Sequence, residues 1–230
     1  MHKKRLNGKT MVIFALMLVL FKVDGVVAED EVFQEESNLS YLYGIDEEER
    51  TDASGQWWYV VNTDGETVTI WLNPDKPAAQ MDVPCEIDGF LVTAIGDYAF
   101  ESSTLEKITL PDTVISIGRG AFQWCFSLTE ITLPDSLISI GSNAFVDVSL
   151  SRITLPDSLI SIGRGAFNYC QSLTEITLPE SLTSIGEDAF IDCYNLTLTV
   201  SEGSYAEQYA KENEIPYIIL DESIADAGGQ

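Results

Sequence analysis

From Pro111 to Val200 the apolar and polar positions of the chain recur every 22 or 23 residues. Each unit reads Pro, an acid, one residue, Leu or Val, one residue, Ser-Ile-Gly, two residues, Ala-Phe, usually a Cys, then a Leu and a closing Leu/Ile-Thr-Leu/Val. The four units are 111–133, 134–155, 156–178 and 179–200, and a degenerate one runs from Pro84 to Leu110. A unit this short has too few apolar positions to bury a face alone, so it must stack on its neighbours. The pattern predicts a solenoid of five coils.

Within a unit the period changes. Leu128-Thr129-Glu130-Ile131-Thr132-Leu133 alternates with period two, the mark of a half-buried strand, and successive copies would stack as one parallel sheet. Pro111, Pro134, Pro156 and Pro179 end that strand, because proline has no N–H to donate and pushes its predecessor to an extended conformation. A second short run, Leu137 to Ile140, stops at a glycine that recurs as Gly118, Gly141, Gly163 and Gly186, read here as positions of positive φ. The stretch from Ala-Phe to Leu predicts a helical turn or short helix. Its Phe recurs at 100, 122, 145, 167 and 190 and predicts an aromatic spine with edge or offset ring contacts.

The flanks differ. Residues 1–28 combine Lys3, Lys4, Arg5 and Lys9 with an apolar run from Met11 to Phe21 and a small residue at Ala28, a secretory signal too short for a comfortable membrane span. Residues 29–54 read as an acidic flexible leader and 221–230 as a disordered tail. Trp57 to Leu72, two strand-like runs around Asn62-Thr63-Asp64-Gly65, predict a β-hairpin that with its flanks (55–83) covers one end of the stack. A helix over Tyr205 to Asn213 and a strand over Ile215 to Leu220, within a cap of 201–220, would shield the other end.

The run Ile-Gly-x-x-Ala-Phe-x-x-Cys-x-x-Leu-x-x-Ile-x-Leu-Pro resembles the BspA-like, Treponema-type leucine-rich repeat over residues 84–200, with matching flanks at Trp57–Val92 and Ser204–Tyr217. The resemblance implies a β-rich α/β repeat solenoid, with right-handed leucine-rich-repeat coils, a parallel sheet on one face, a hairpin cap and a short helix/strand cap. It further implies a secreted or surface protein that acts in adhesion. The unit 134–155 departs from the pattern, with Val148 at the Cys position.

Charge and residue usage narrow the function. Loss of residues 1–28 removes five of 12 Lys and Arg and one of 37 Asp and Glu, leaving a formal charge of −29. Such a chain repels nucleic acid and anionic membranes. His2 is the sole histidine and leaves with the signal, which removes the common triads and imidazole ligands. No catalytic residue, cofactor or metal site is expected, and the product is expected to be monomeric. Cys125, Cys170 and Cys193 share one repeat position and read as unpaired apolar fillers, with Cys85 more exposed.

Several columns could meet a partner. On the long sheet, Thr109, Thr132, Thr154, Thr177 and Thr199 face outward beside Lys107, Glu130, Arg152 and Glu175, whose signs alternate from coil to coil. After each Pro stands an acid, Asp112, Asp135, Asp157 and Glu180, read either as a weak calcium column or as side chains bonding turn backbone. Ile115, Ile138 and Ile160 form either an exposed ridge or core. Trp124, Phe126, Tyr169 and Tyr194 vary from coil to coil, as ligand-specific positions would. Five strands give a long sheet of about 250–300 Å², below the roughly 800 Å² per partner of a standard interface. The expectation is therefore a secreted or cell-surface binding protein for an extracellular protein or glycan. A structural module without a ligand is the alternative, and a hydrolase using acidic residues ranks last.

Overall fold

The computed structural model describes residues 49–220. The expected signal segment, the leader up to residue 48 and the tail 221–230 lie outside the described residues. In chain order the elements are β1 (Arg50–Thr51), β2 (Trp57–Val61), β3 (Thr67–Leu72), β4 (Gln80–Asp82), β5 (Glu86–Ile87) and β6 (Phe90–Ile95). Long-face and short-face strands then alternate: β7 (Lys107–Thr109), β8 (Ser116–Ile117), β9 (Glu130–Thr132), β10 (Ser139–Ile140), β11 (Arg152–Thr154), β12 (Ser161–Ile162), β13 (Glu175–Thr177), β14 (Ser184–Ile185) and β15 (Thr197–Val200). Helix α1 (Tyr205–Glu212) and β16 (Tyr217–Ile219) follow.

These strands form a solenoid with more rungs than the repeat signature shows. On the short face β3, β6, β8, β10, β12 and β14 pair in parallel, in register from Ser116 to Ser139, Ser161 and Ser184. On the long face β4 precedes β7, and β16 follows β15, both in parallel pairing. The outer rungs lack Ile-Gly-x-x-Ala-Phe, so periodicity stops at Pro84 and Val200 while backbone pairing continues on both sides.

The segment expected to be helical is instead an arc of alternating backbone handedness. Residues two before each Phe (Tyr98, Gly120, Asn143, Gly165, Asp188) and two after it (Ser102, Trp124, Asp147, Tyr169, Asp192) all have φ between 55° and 61°. A helix cannot absorb left-handed residues at that frequency. The arc satisfies its N–H groups across coils: Gly120, Phe122 and Trp124 donate to the carbonyls of Ser142, Ala144 and Val146 at 2.8–2.9 Å, and each coil repeats the pattern to the next. Intervening residues close turns within the coil, as in Gln123 N–H to Gly120 C=O.

Inside the arc the five Phe rings stack near-parallel at centroid separations of 4.9, 5.2, 5.2 and 5.3 Å. Edge contacts close the stack at both ends, Trp57 on Phe100 and Tyr209 on Phe190. The recurrent thiols lie beside it: Cys125, Cys170 and Cys193 donate to the carbonyls of Phe100, Phe145 and Phe167 at 3.0–3.1 Å. All four cysteines are free. The Cys193 thiol and burial together hold Cys170 protonated, above the ordinary thiol range, and burial does the same to Cys125.

The recurrent glycines serve contact and not handedness. Gly118, Gly141, Gly163 and Gly186 are not among the positive-φ residues. A Cβ on Gly118 would lie 2.6 Å from Asp97 Oδ1, and one on Gly141 would lie 2.6 Å from the carbonyl carbon of Gly118. Any side chain there would push adjacent coils apart.

The long sheet is not continuous. It divides into a three-stranded part, β4-β7-β9, and a four-stranded part, β11-β13-β15-β16. The seam falls where the unit 134–155 is one residue short, Val148-Ser149-Leu150 against Cys125-Phe126-Ser127-Leu128. Leu128, Leu173 and Leu196 donate to the carbonyl three residues back; Leu150 makes no such backbone bond among the described residues, and Ser149 Oγ donates across to Phe126 C=O instead. Ile131 and Leu133 beside the seam are only half-buried, whereas Ile108, Ile153 and Ile176 are buried.

Both ends are covered. β2 and β3 form an antiparallel hairpin, and Asp64 in its turn accepts from the N–H groups of Glu66 and Thr67 and from the Thr67 hydroxyl, which lowers its carboxyl pKa. The hairpin supplies donors to the first arc, Trp71 Nε1 to Asp97 C=O and Leu72 N–H to Ala99 C=O. At the other end Ser204 caps α1, accepting from Glu207 N–H, and the helix buries Ala206, Tyr209 and Ala210. Burial raises the Tyr209 phenol to about 12.

Candidate binding surface

The long face carries the threonine column, interrupted at the seam. Thr109 pairs with Thr132, and Thr154 with Thr177 and Thr199. Thr132, Thr154 and Thr177 are exposed and Thr109 is half-buried, but Thr199 is only 5% exposed and does not belong to an outward surface. Its neighbour in the sheet is Ile218 of β16, a strand the repeat signature does not announce. The charge column resolves into two exposed pairs, Lys107–Glu130 at 2.5 Å and Arg152–Glu175 at 4.0 Å. No ion pair joins Glu130 to Arg152 among the described residues, in keeping with the seam between their strands.

The acids after each proline, Asp112, Asp135, Asp157 and Glu180, are exposed. The expected side-chain bond to turn backbone comes from the next residue instead: Ser136, Ser158 and Ser181 hydroxyls donate to the carbonyls of Val114, Leu137 and Leu159 on the preceding coil. Among the described residues no group of three or more His, Cys, Asp or Glu is placed to hold a metal ion.

The short face resolves the isoleucine alternative toward solvent. Ile115, Ile138 and Ile160 are 48%, 43% and 40% exposed. Ile138 N–H donates to Ile115 C=O and Ile160 N–H to Ile138 C=O, both at 2.9 Å, so the three side chains stand on consecutive rungs. Thr93 and Thr183 flank them through equivalent bonds to Ile115 and Ile160. An apolar ridge bounded by hydroxyls results.

The arc carries the aromatic residues. Trp124 and Tyr169 are 36% and 47% exposed, and Phe126 and Tyr194 stand further out. Trp124 N–H bonds Val146 C=O, Asp147 N–H bonds Asn168 C=O and Tyr169 N–H bonds Ile191 C=O, so Trp124, Asp147, Tyr169 and Asp192 occupy successive coils at one backbone position. Tyr194 donates its hydroxyl to Asp192 Oδ1 at 2.6 Å, which raises the phenol pKa. Ser102, Asp147 and Asp192 suit a left-handed position, while an aromatic residue there is disfavoured by about 1–2 kcal/mol. Sequence reading missed this geometry. Its signal was present in Gly120, Asn143, Gly165 and Asp188, residue types that tolerate positive φ, at a fixed offset from each Phe.

Residues 93–211 match the BspA type leucine-rich repeat region in six copies. The chain belongs to this family. Among solved structures, this BspA-type chain is 33% identical to the leucine-rich repeat protein TpLRR of T. pallidum, with a TM-score of 0.61 over 65% of this chain and 71% of that one. It is 20% identical to the pneumococcal vaccine antigen PcpA, with a TM-score of 0.52 over 74% of this chain and 49% of that one, a likeness of fold. A leucine-rich cell surface protein of Faecalibacterium prausnitzii aligns at 25% identity and a TM-score of 0.45, over 68% of this chain and 55% of its own. No curated protein matches the chain. The BspA-type repeat is typically a non-enzymatic scaffold consistent with protein–protein interaction. No helix among the described residues is long and apolar enough to cross a membrane.

Proposed function

We propose that this BspA-type protein is secreted or held at an extracellular surface and acts by binding an extracellular protein or glycan, in adhesion. The observation that carries the reading is the ridge of Ile115, Ile138 and Ile160, three apolar side chains on consecutive rungs that contribute to no core. Water-exposed apolar surface that repeats in line gains free energy when a partner covers it, about 25 cal/mol per Å². The exposed threonines of the long face and the aromatics of the arc extend the candidate surface. Seven long-face strands still present only about 350 Å², so the long face needs a second face or many displayed copies to bind a protein tightly. The amino-terminal run of basic then apolar residues supports export.

Purified protein applied to immobilised matrix proteins and to intact cells should bind saturably, and Ile138→Asp should reduce that binding without lowering the melting temperature. Absence of saturable binding to every surface would favour a structural module, and an Ile138→Asp variant that binds like the parent would remove the ridge from the reading.

A further inference from the structure

We propose that the arc column Trp124, Asp147, Tyr169 and Asp192 is a binding site for an extended basic peptide segment, whose Lys or Arg side chains lie against the two rings and pair with the intervening carboxylates. The proposal rests on the binding role above and gives the partner's chemistry on a different face from the isoleucine ridge.

Three observations carry it. The first is conformational: Trp124 and Tyr169 hold φ of 59° and 60°, a position that Ser102, Asp147 and Asp192 fill in the other coils. Bulky residues are genuine outliers there, and rings 36% and 47% exposed do not belong to the core that would explain them. Tyr98 holds positive φ too but is half-buried over Gly120; at Trp124 and Tyr169 the exposed rings leave contact with a partner as the role that such an outlier points to.

The second is spacing. One hydrogen-bonded step separates each member from the next, at 2.8 Å from Trp124 and 2.9 Å from Asp147, so the backbone positions of Trp124 and Tyr169 lie two coils, about 9–10 Å, apart. In an extended peptide, residues two apart share a face and lie about 7 Å apart, and the long stems of Lys and Arg make up the difference. Two cationic side chains of one strand therefore reach both rings, with Asp147 between them.

The third is charge. Residues 123–127, 146–149, 168–172 and 191–195 contain no Lys or Arg and carry Asp147 and Asp192, on a chain of formal charge −25. Tyr194 fixes the Asp192 carboxylate through its hydroxyl and offers a further exposed ring. Aromatic faces attract cations within about 6 Å of the centroid, and a carboxylate one coil away adds its field. A neutral glycan could stack on the rings and donate its hydroxyls to the carboxylates, but only a cationic segment also gains from the ring quadrupoles and the negative charge of the chain.

The test titrates the protein by calorimetry with a short peptide alternating Arg and Thr, with its Glu-Thr counterpart and with chitohexaose. The Arg peptide should bind, more weakly as salt rises. Trp124→Asn with Tyr169→Asn, and separately Asp147→Asn, should weaken binding by about tenfold or more, while the double variant melts no lower than the parent because Asn accepts positive φ. Ile138→Asp should leave peptide binding unchanged, which separates this site from the ridge. The proposal is overturned if the Arg peptide fails to bind, if it binds the variants as it binds the parent, if chitohexaose or the Glu peptide binds in its place, or if the double variant melts lower, since the rings would then be structural.

Discussion

Phe145 sits between Phe122 and Phe167, 5.2 Å from each ring, fully buried and with its own carbonyl accepting the Cys170 thiol. Removing it breaks two stacking contacts and leaves a cavity that neighbouring coils cannot close, because their spacing is fixed by arc hydrogen bonds on either side. Phe145→Ala should therefore lower stability by about 3–5 kcal/mol, read from denaturant unfolding; a variant as stable as the parent would deny the ring a place in the core. The inward residues were legible because burial repeats with the period, and a Phe that returns every coil has one physical explanation. Thr199 was not legible in the same way. Its spacing matches Thr177, yet it is buried, next to a strand whose sequence bears no trace of the repeat.

Glycines at the end of each short strand show how an element can be placed correctly for the wrong reason. A glycine that recurs once per coil signals either positive φ or close approach, and sequence alone does not separate them. At Gly141 close approach decides: φ is ordinary and a Cβ would press on the backbone of Gly118 and Arg119. Gly141→Ala should cost about 1–3 kcal/mol by overpacking, whereas Gly203, which has φ of 75° and open space, carries a backbone penalty alone. Thermal melts of the alanine variants should show the Gly141 variant to be the less stable. The arc was misread as helical because Ala-Phe followed by polar residues fits a helical turn; the deciding residues, Gly120, Asn143 and Asp188, look unremarkable until their shared offset from Phe is noticed. The shortened unit 134–155 was visible, but its consequence was not: where a single residue is lost before Leu150, β9 and β11 stay neighbours without pairing, while the arc and the short face run on unbroken.

At the scale of the molecule, the caps cover the two ends of a stack of near-identical coils. Phe190 would be the next ring for another copy to cover, and Tyr209 of α1 covers it. A chain truncated after Glu202, lacking α1 and β16, should self-associate, eluting above monomer mass in light-scattering chromatography; a stable monomer would show that the last coil needs no cover. The caps themselves were legible from strand and helix patterns, yet the pairing of β3 and β16 into the two faces was not, since they share pairing with the repeats but no residues.

The arc bonds all run one way. In the coils of Phe100, Phe122, Phe145 and Phe167 the N–H groups of the left-handed positions and the central Phe point toward the next coil, whose carbonyls point back. Peptide units aligned in this manner add their dipoles as they do in a helix. The short face opposes it: the N–H groups of Ile138, Gly141, Ile160 and Gly163 donate to carbonyls of the preceding coil. The donor end of the arc lies at Asp188 and Asp192, and its acceptor end is met by the indole N–H of Trp71, so two opposed polarities run side by side along one stack, each confined to its own face.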